Sequence, residues 1–499
     1  MSNLTELEQK VKDVYDILRD YQKVGFEFMV KNSSALNYDD MGLGKTLTTA
    51  TVVMYQQAFP CIIVCPKSAM YVWADELMRW FGMESIVYVG KPKQREKLFQ
   101  EFAGKGIKFI ITNFSLVGEL GERFGAIDKS KIRGSSKSGT PKTTTKPTTG
   151  TPKWKIGSVI ADEIQLGGLF NQKTLTYKLF KQLRKSVDHM YLLTGTPSRK
   201  GAIDYFGPLS LIAPNTFDSY WKYVNEWCVT IDDGFGKSIE RNPKDIVRFR
   251  GMLRQYAIIR KKTEVLHELP GKTRIKIPVE MDDEQAKLYR ELEEDLMAMT
   301  ENGELIMAPS QLALLGRLRQ VLACPQVLGT KTRGAAVDAL LEMAEDLVSK
   351  GKPFVVFSPY RKGLEILSEE LQRAFAGTPI FRIEGGLTPT EFRDAWQGFQ
   401  NGKGAAILLC VIKSGASFQA TRADTAFFLG SEYDFNQNLQ AEDRLNRMGQ
   451  SNHVSCYYFI HRNTVDDHLY TILNDKKRSA DLVLNNEQDF LKLLAKRMP

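Results

Sequence analysis

The sequence predicts an α/β chain built as two parallel-sheet lobes in tandem, with helical protrusions between them. Three observations predict it. Short, β-rich apolar runs recur with helix-like stretches between them, as parallel strands buried on both faces require. The runs fall into two sets. A long stretch with few such runs and with apolar residues at helical spacing separates the sets.

The first set is CIIVC (61–65), KFIIT (108–112), SVIAD (158–162) and MYLLT (190–194). It places a first lobe over residues 1–270. The second set is FVVF (354–357), AILLC (406–410), AFFLG (426–430) and SCYYFI (455–460), and it places a second lobe over 271–499. Residues 201–265 and 282–325 read as mainly helical. In the latter, YRELEEDLMAMTENGEL and LALLGRLRQVL carry apolar residues at helix-like spacing. They are expected to pack on the lobes, with some contact to DNA open to them. Residues 130–153, SKIRGSSKSGTPKTTTKPTTGTPK, are low in complexity and cannot bury a core, so a disordered basic insertion is expected between two strands of the first lobe.

The chain has 499 residues, 43% hydrophobic and 25% charged, the composition of a globular protein of two or three domains. No apolar run approaches a membrane span, and the opening residues MSNLTELEQKVKD are too polar for a signal peptide, so an intracellular, cytoplasmic or nucleoid-associated protein is expected. The six cysteines form no CxxC pair and no Cys/His cluster, which argues against structural zinc and for reduced, buried thiols. Of the net charge of +9, residues 129–155 carry +8 (seven Lys, one Arg, no acid), which leaves +1 for everything else. Net charge is therefore weak support for nucleic-acid binding. The basic insertion is as readily a tolerated surface loop as a DNA tether.

The chemistry begins at DDMGLGKT (39–46). Gly42 and Gly44 let backbone N–H groups turn toward phosphate oxygens at the start of the following helix. Lys45 would neutralise the β- and γ-phosphates of ATP, and Thr46 would ligate Mg²⁺. Asp39 stands where the usual GxxxxGK pattern has its first glycine. SVIADEIQ (158–165) adds a strand ending in Asp162 and Glu163, a pair suited to holding Mg²⁺ and to orienting or deprotonating a water. Far along the chain, QAEDRLNRMGQ (440–450) sets Arg444 and Arg447 one helical turn apart, which taken alone is an ordinary solvated helix face. In this order the three features suit an ATP-driven motor whose site closes across two domains.

With these motifs the chain resembles the superfamily-two helicases, and most closely the Swi/Snf-type DNA translocases, over nearly its whole length. LRDYQKVGFEFM (18–29) resembles the adenine-recognition motif, in which Gln22 would read the base. DDMGLGKT resembles the family's own phosphate loop, in which two acids and Met precede the glycines. IIVCPKSAM (62–70) and ITNFSLV (111–117) resemble motifs that hold a DNA strand, which makes Lys67, Ser68, Thr112 and Asn113 candidate strand contacts. DEIQ (162–165) resembles the acid motif and LTGTP (193–197) the coupling motif. IIRKKTEVLHELPGK (258–272), LRQVLACP (318–325), FVVFSPY (354–360) and IEGGLTPTEFR (383–393) resemble further signatures. QAEDRLNRMGQ resembles the arginine-finger motif, with Gln440 at its start.

The resemblance implies two RecA-like lobes, ATP and Mg²⁺ as cofactors, and duplex, forked or branched DNA as partner. It also implies a monomer without a membrane, open to protein partners in replication, recombination or repair. Catalysis would fall to Lys45, Asp162, Glu163, Gln165, Arg444 and Arg447. Three positions depart from the family pattern. Gln165 stands where the acid motif ends in His, and Asn446 stands where the arginine motif has His. KSGASFQATRAD (413–424) keeps only Gly415 and the terminal Ala423-Asp424 of a Gly-rich loop. The wording of QAEDR and TGTPSRKG leans toward the annealing, branch-remodelling members. A conventional strand-separating helicase, with a short hairpin hidden in 230–240, and a motor subunit of a larger complex stay open. Intact Lys45, Asp162, Glu163, Arg444 and Arg447 argue against a non-hydrolysing scaffold.

Overall fold

The computed structural model describes residues 6–132, 155–198, 201–232, 237–300, 309–414 and 418–474. Almost all of the basic insertion expected at 130–153 lies outside them, as does Gly415. The chain divides into two units, Met1–His267 and Glu268–Pro499.

Among the described residues fifteen strands occur in chain order: β1 (Ser34–Asn37), β2 (Cys61–Val64), β3 (Ser85–Val87), β4 (Phe109–Thr112), β5 (Ile156–Asp162), β6 (Val187–Leu193), β7 (Cys228–Asp232), β8 (Lys237–Pro243), β9 (Ala257–Ile258), β10 (Lys272–Val279), β11 (Phe354–Ser358), β12 (Ile380–Ile383), β13 (Ile407–Val411), β14 (Thr425–Phe428) and β15 (Val454–His461). In the first unit seven of them form a sheet in the order β3-β4-β2-β5-β6-β1-β9, and every pairing is parallel. Helices cover both faces, which is why the strands read as unbroken apolar runs. Neighbours along a strand enter opposite cores. Ile62 and Val64 join one apolar cluster, while Cys61, Ile63 and Cys65 join the other.

Strand register fixes where the motifs meet. Asn37 pairs with Leu193, Asp162 with Leu193, Val64 with Ala161, and Val64 with Thr112. The carboxyl ends of β1, β2, β4, β5 and β6 therefore stop at one level, and the loops after them leave the sheet along one edge. In parallel α/β sheets that edge is where ligands bind.

The second unit repeats the plan with the order β10-β15-β14-β11-β13-β12, again all parallel. Val355 and Phe357 enter one core and Phe354 and Val356 the other. Beside the sheet, helices Asp283–Thr300, Pro309–Ala323 and Val465–Asn474 pack through Tyr289, Leu315, Leu318, Leu469 and Leu473 into a core of their own. This is the packing role expected of 282–325.

The described part of 201–265 is mainly helical, as expected, with helical segments Ala202–Tyr205, Phe206–Ile212, Tyr220–Trp227, Ile246–Tyr256 and Lys262–Val265. What the expectation left out is the antiparallel hairpin β7–β8, and β9, which extends the first sheet by pairing with β1. Leu36 pairs with Ala257 and Asn37 with Ile258, so a short strand far along the chain closes the edge beside the phosphate loop.

Candidate nucleotide site and arginine segment

The phosphate loop joins β1 to the helix Lys45–Tyr55. Gly42 and Gly44 have φ of 80° and 77°, a left-handed backbone that other residues adopt only with strain. Gly44 is the helix N-cap and supplies no side-chain cap, so the first-turn N–H groups of this helix are available to an anion. Nζ of Lys45 donates to the carbonyls of Asp39 at 2.8 Å and Asp40 at 3.2 Å, contacts that a phosphate oxygen can replace. Gln22 is buried. Its Oε1 accepts from the Arg19 amide at 3.0 Å, and its Nε2 donates to the carbonyl of Leu43, in the phosphate loop, at 3.1 Å. Tyr21 Oη donates to the same carbonyl at 3.2 Å.

Asp162 ends β5. Its Oδ2 accepts from Trp73 Nε1 at 3.0 Å, and its Oδ1 from the Glu163 amide at 3.0 Å. Burial raises the Asp162 pKa above its ordinary value, against the Trp73 hydrogen bond and the nearby Lys45 charge. A divalent cation would offset that burial. Glu163 has a φ of 53°, a strained value for a residue with a side chain and the kind that collects at working sites. Its Oε2 accepts from Gln165 Nε2. Gln165 Oε1 in turn accepts from Thr194 Oγ1 at 2.7 Å, and Thr194 Oγ1 accepts from the Thr196 amide at 2.9 Å. The acid motif and the coupling motif are thus joined side chain to side chain. Gly195 completes the contact with the phosphate loop, because a Cβ there would meet Met41 Cγ at 2.6 Å.

These residues fit ATP and Mg²⁺. The loop offers the amides that open the helix and one cation, and Thr46, the half-buried second residue of the helix, and Asp162 offer oxygen ligands. Among the described residues no group of three or more His, Cys, Asp or Glu could hold a metal.

The four expected DNA contacts are placed unequally. Lys67 is exposed and Ser68 half-exposed, on the short turn Lys67–Ala69 that follows β2. Thr112 is fully buried. Asn113 is buried too, and its Oδ1 accepts from the amide of Ser115 at 3.0 Å. The Thr112 and Asn113 side chains close the end of β4 instead of facing outward, so the side-chain contact expected of them is not available in this arrangement.

In the second unit the helix Phe435–Glu442 carries the half-buried Gln440 and ends before the arginines. Arg444 and Arg447 therefore lie on the turn after the helix, not on a solvated helix face. Arg444 is only 4% exposed, and its guanidinium sits 4.5 Å from the Phe418 ring centroid. Arg447 Nη1 donates to the Phe418 carbonyl at 3.3 Å, and the Ala420 amide donates to the Arg444 carbonyl at 2.9 Å. Gln450 Nε2 closes the turn on Ala423 at 2.8 Å. The arginine segment thus rests on residues 418–423, part of the loop that departs most from the family pattern. Asn446 Nδ2 donates to the Pro270 carbonyl at 2.8 Å, a structural use of the position where His is usual. Glu442 is fully buried and anchors the helix to β10 and β15 through Lys272 (2.7 Å), Arg274 (2.6 Å) and Tyr458 Oη (2.7 Å).

The Trp73–Asp162 and Arg260–Asp39 contacts are not marked by the motifs. Nothing in the pattern around Trp73 marks it, since its indole matters only once β5 brings Asp162 beside it. Arg260 lies in a stretch whose resemblance was noted without a role for the residue.

The SNF2-related domain model matches residues 21–327, and the helicase conserved C-terminal domain model matches 335–449. A SWI/SNF-related matrix-associated actin-dependent regulator of chromatin subfamily A-like protein 1 from Xenopus tropicalis is 23% identical over 92% of this chain and 44% of its own length. A chromodomain-helicase-DNA-binding protein 1-like from Mus musculus is 25% identical over 94% of this chain and 50% of its own. The chain spans half or less of the length of these relatives. Among solved structures, a Sulfolobus solfataricus SWI2/SNF2 ATPase core in complex with dsDNA aligns over 96% of this chain and 95% of that one, at 20% identity and a TM-score of 0.42.

Proposed function

We propose, from the premise that this chain belongs to the SNF2-related family, that it is a DNA-dependent ATPase that uses ATP hydrolysis to move on duplex or branched DNA. The observation that carries the reading is the common edge of the first sheet. The phosphate loop, the acid motif and the coupling motif leave it together and are joined there through Gln22–Leu43, Glu163–Gln165–Thr194 and Met41–Gly195.

In this reading Gln22 sits on the adenine side. The N–H groups that open the helix Lys45–Tyr55, together with Lys45, hold the phosphates. Thr46 and Asp162 would hold Mg²⁺, which supplies charge neutralisation at the phosphates when bound. Glu163 orients the attacking water and takes its proton. Gln165 passes the position of Glu163 to Thr194. Arg444 and Arg447 are proposed to stabilise charge on the transferring phosphoryl group, which for the buried Arg444 requires its guanidinium to leave the Phe418 ring during the cycle; such arginines contribute about 10³–10⁵ in rate. Lys67 and Ser68 are the accessible candidates for a strand contact in the first unit.

The finer product is proposed to be remodelled DNA: branch migration, fork regression or annealing. The wording of QAEDR and TGTPSRKG supports it. The β7–β8 hairpin favours a second reading, a conventional strand-separating helicase with the hairpin as its wedge. Four-way and forked substrates set against a tailed duplex separate the two. The six free, buried cysteines suit a reducing interior, so an intracellular, nucleoid-associated setting is proposed. The test of the core reading is ATP turnover with and without DNA, with Glu163→Gln as the control.

A further inference from the structure

We propose that Arg260 is a positioning residue of the nucleotide site: it locks the phosphate loop against the adenine-side helix and so sets where Lys45 stands. The inference rests on the nucleotide reading above and adds a residue to it.

The acids that open DDMGLGKT face away from any phosphate role. Asp39 is buried, and its carboxylate is held by both arms of the Arg260 guanidinium, with Nε to Oδ1 at 2.9 Å and Nη2 on Oδ2. Nη1 of the same guanidinium donates to the Tyr21 carbonyl, and its Cζ stands 5.2 Å from the Tyr21 ring centroid. Space for the group comes from Gly25 on the helix Asp20–Lys31, where a Cβ would meet Nη2 at 2.8 Å. The backbone repeats the tie. The Tyr38 amide donates to Ile258 at 2.8 Å and the Asp40 amide to the Arg260 carbonyl at 2.9 Å, while the Lys262 amide donates to Asp40 Oδ2 at 2.9 Å.

One side chain thus joins three segments, the helix that carries Gln22, the phosphate loop, and the strand end at 258–262. The consequence reaches Lys45, because its Nζ rests on the carbonyls of the two residues so fixed, Asp39 and Asp40. An acid stands where the common phosphate loop has glycine because this position is a tether here and not a phosphate contact. Only a planar fork holds both carboxylate oxygens and a carbonyl at once, so lysine does not replace it.

The test measures affinity for a ribose-labelled fluorescent ATP analogue, melting temperature, and KM and kcat for ATP, in the full chain. Arg260→Met alone would strand a buried carboxylate, so it is paired with Asp39→Asn. The double variant is expected to melt near wild type yet bind the analogue about tenfold more weakly or worse, with KM raised in step, as loss of a charge-assisted fork implies. Arg260→Lys, which keeps the charge, and Gly25→Ala, which displaces the guanidinium without touching either charge, are expected to weaken binding in the same direction. Should the double variant fail to fold, Arg260→Lys decides. Wild-type affinity in a folded double variant, or in Arg260→Lys, overturns the proposal. A wild-type chain that binds no ATP analogue overturns the nucleotide reading itself. Analogue binding without DNA-stimulated hydrolysis defeats only the motor reading, and the affinity ratio still decides Arg260.

Discussion

Thr194 Oγ1 donates to Gln165 Oε1 across 2.7 Å, and this bond joins the end of β6 to the acid segment after β5. Gln165 uses its other end on Glu163, so the carboxylate proposed to handle the water is held in place by the coupling motif. A glutamine, with two fixed ends, makes this link at the position where the resembled motif ends in histidine. Glutamine has no ring to protonate, unlike a histidine at that position.

Breaking that link is expected to separate hydrolysis from nucleotide binding. Thr194→Val keeps the shape and removes the donor. It should lower DNA-stimulated turnover by about tenfold to a hundredfold, the scale of misplacing a reacting group, while ATP-analogue affinity stays near wild type. Turnover assays and fluorescence titrations on the same preparation check it. An equal loss of affinity would place Thr194 in binding instead.

The two arginines should behave differently despite their spacing. Arg447 is half-exposed with one arm on a carbonyl, so Arg447→Ala is expected to cut turnover by about a thousandfold or more with little change in melting temperature. Arg444 is buried over Phe418, so Arg444→Ala should cut turnover and also cost about 1–2 kcal/mol of stability in lost packing and cation–π contact. Thermal melts alongside turnover rates distinguish them.

Acid should weaken the second unit through His461. Burial holds this imidazole down at about 4, from an ordinary value of 6.5, despite the opposing pull of Asp282. Its ring faces Gln285, whose amide already donates to Val321 at 2.8 Å. Between about pH 6.5 and pH 4 the unfolded chain takes up a proton that the folded chain refuses, so stability falls as pH falls through that window. The loss is about 2 kcal/mol by pH 5. His461→Gln should flatten the decline in melting temperature between pH 7 and pH 5. An unchanged slope would remove His461 as its source.

How much of this was legible in the sequence follows from burial. All eight apolar runs became strands, because each is buried on both faces and has no polar alternation to blur it. β1, SALN, was missed because a single Leu and an Ala make no apolar run, and most other strands that escaped notice are short, at an edge, or both. SIV of β3 and Ala257–Ile258 of β9 are two or three residues long, and the edge strand β10, KTRIKIPV, is mostly half-exposed and alternates polar with apolar. Lys45, Asp162, Glu163 and Gln165 could be singled out as candidates because motif chemistry ties each to a fixed offset from a strand end, and Gln22 because its helix carries a motif of its own. Trp73 and the Asp39–Arg260 pair were not, because they meet Asp162 and the phosphate loop across 89 and 221 residues of chain. The burial of Thr112 was overlooked for a related reason: its motif placement suggested an outward role, while its position in β4 turns it inward.

The central claim is that the joined phosphate, acid and coupling segments form a motor that DNA switches on. The most direct test is steady-state ATP turnover of the full chain with no DNA, with single-stranded, duplex, forked and four-way DNA, and with Glu163→Gln in parallel. The expected result is a rise with duplex or branched DNA on the order of tenfold or more, about 1.4 kcal/mol of barrier, that disappears in Glu163→Gln. Turnover indifferent to every DNA, or normal turnover in Glu163→Gln, would contradict it.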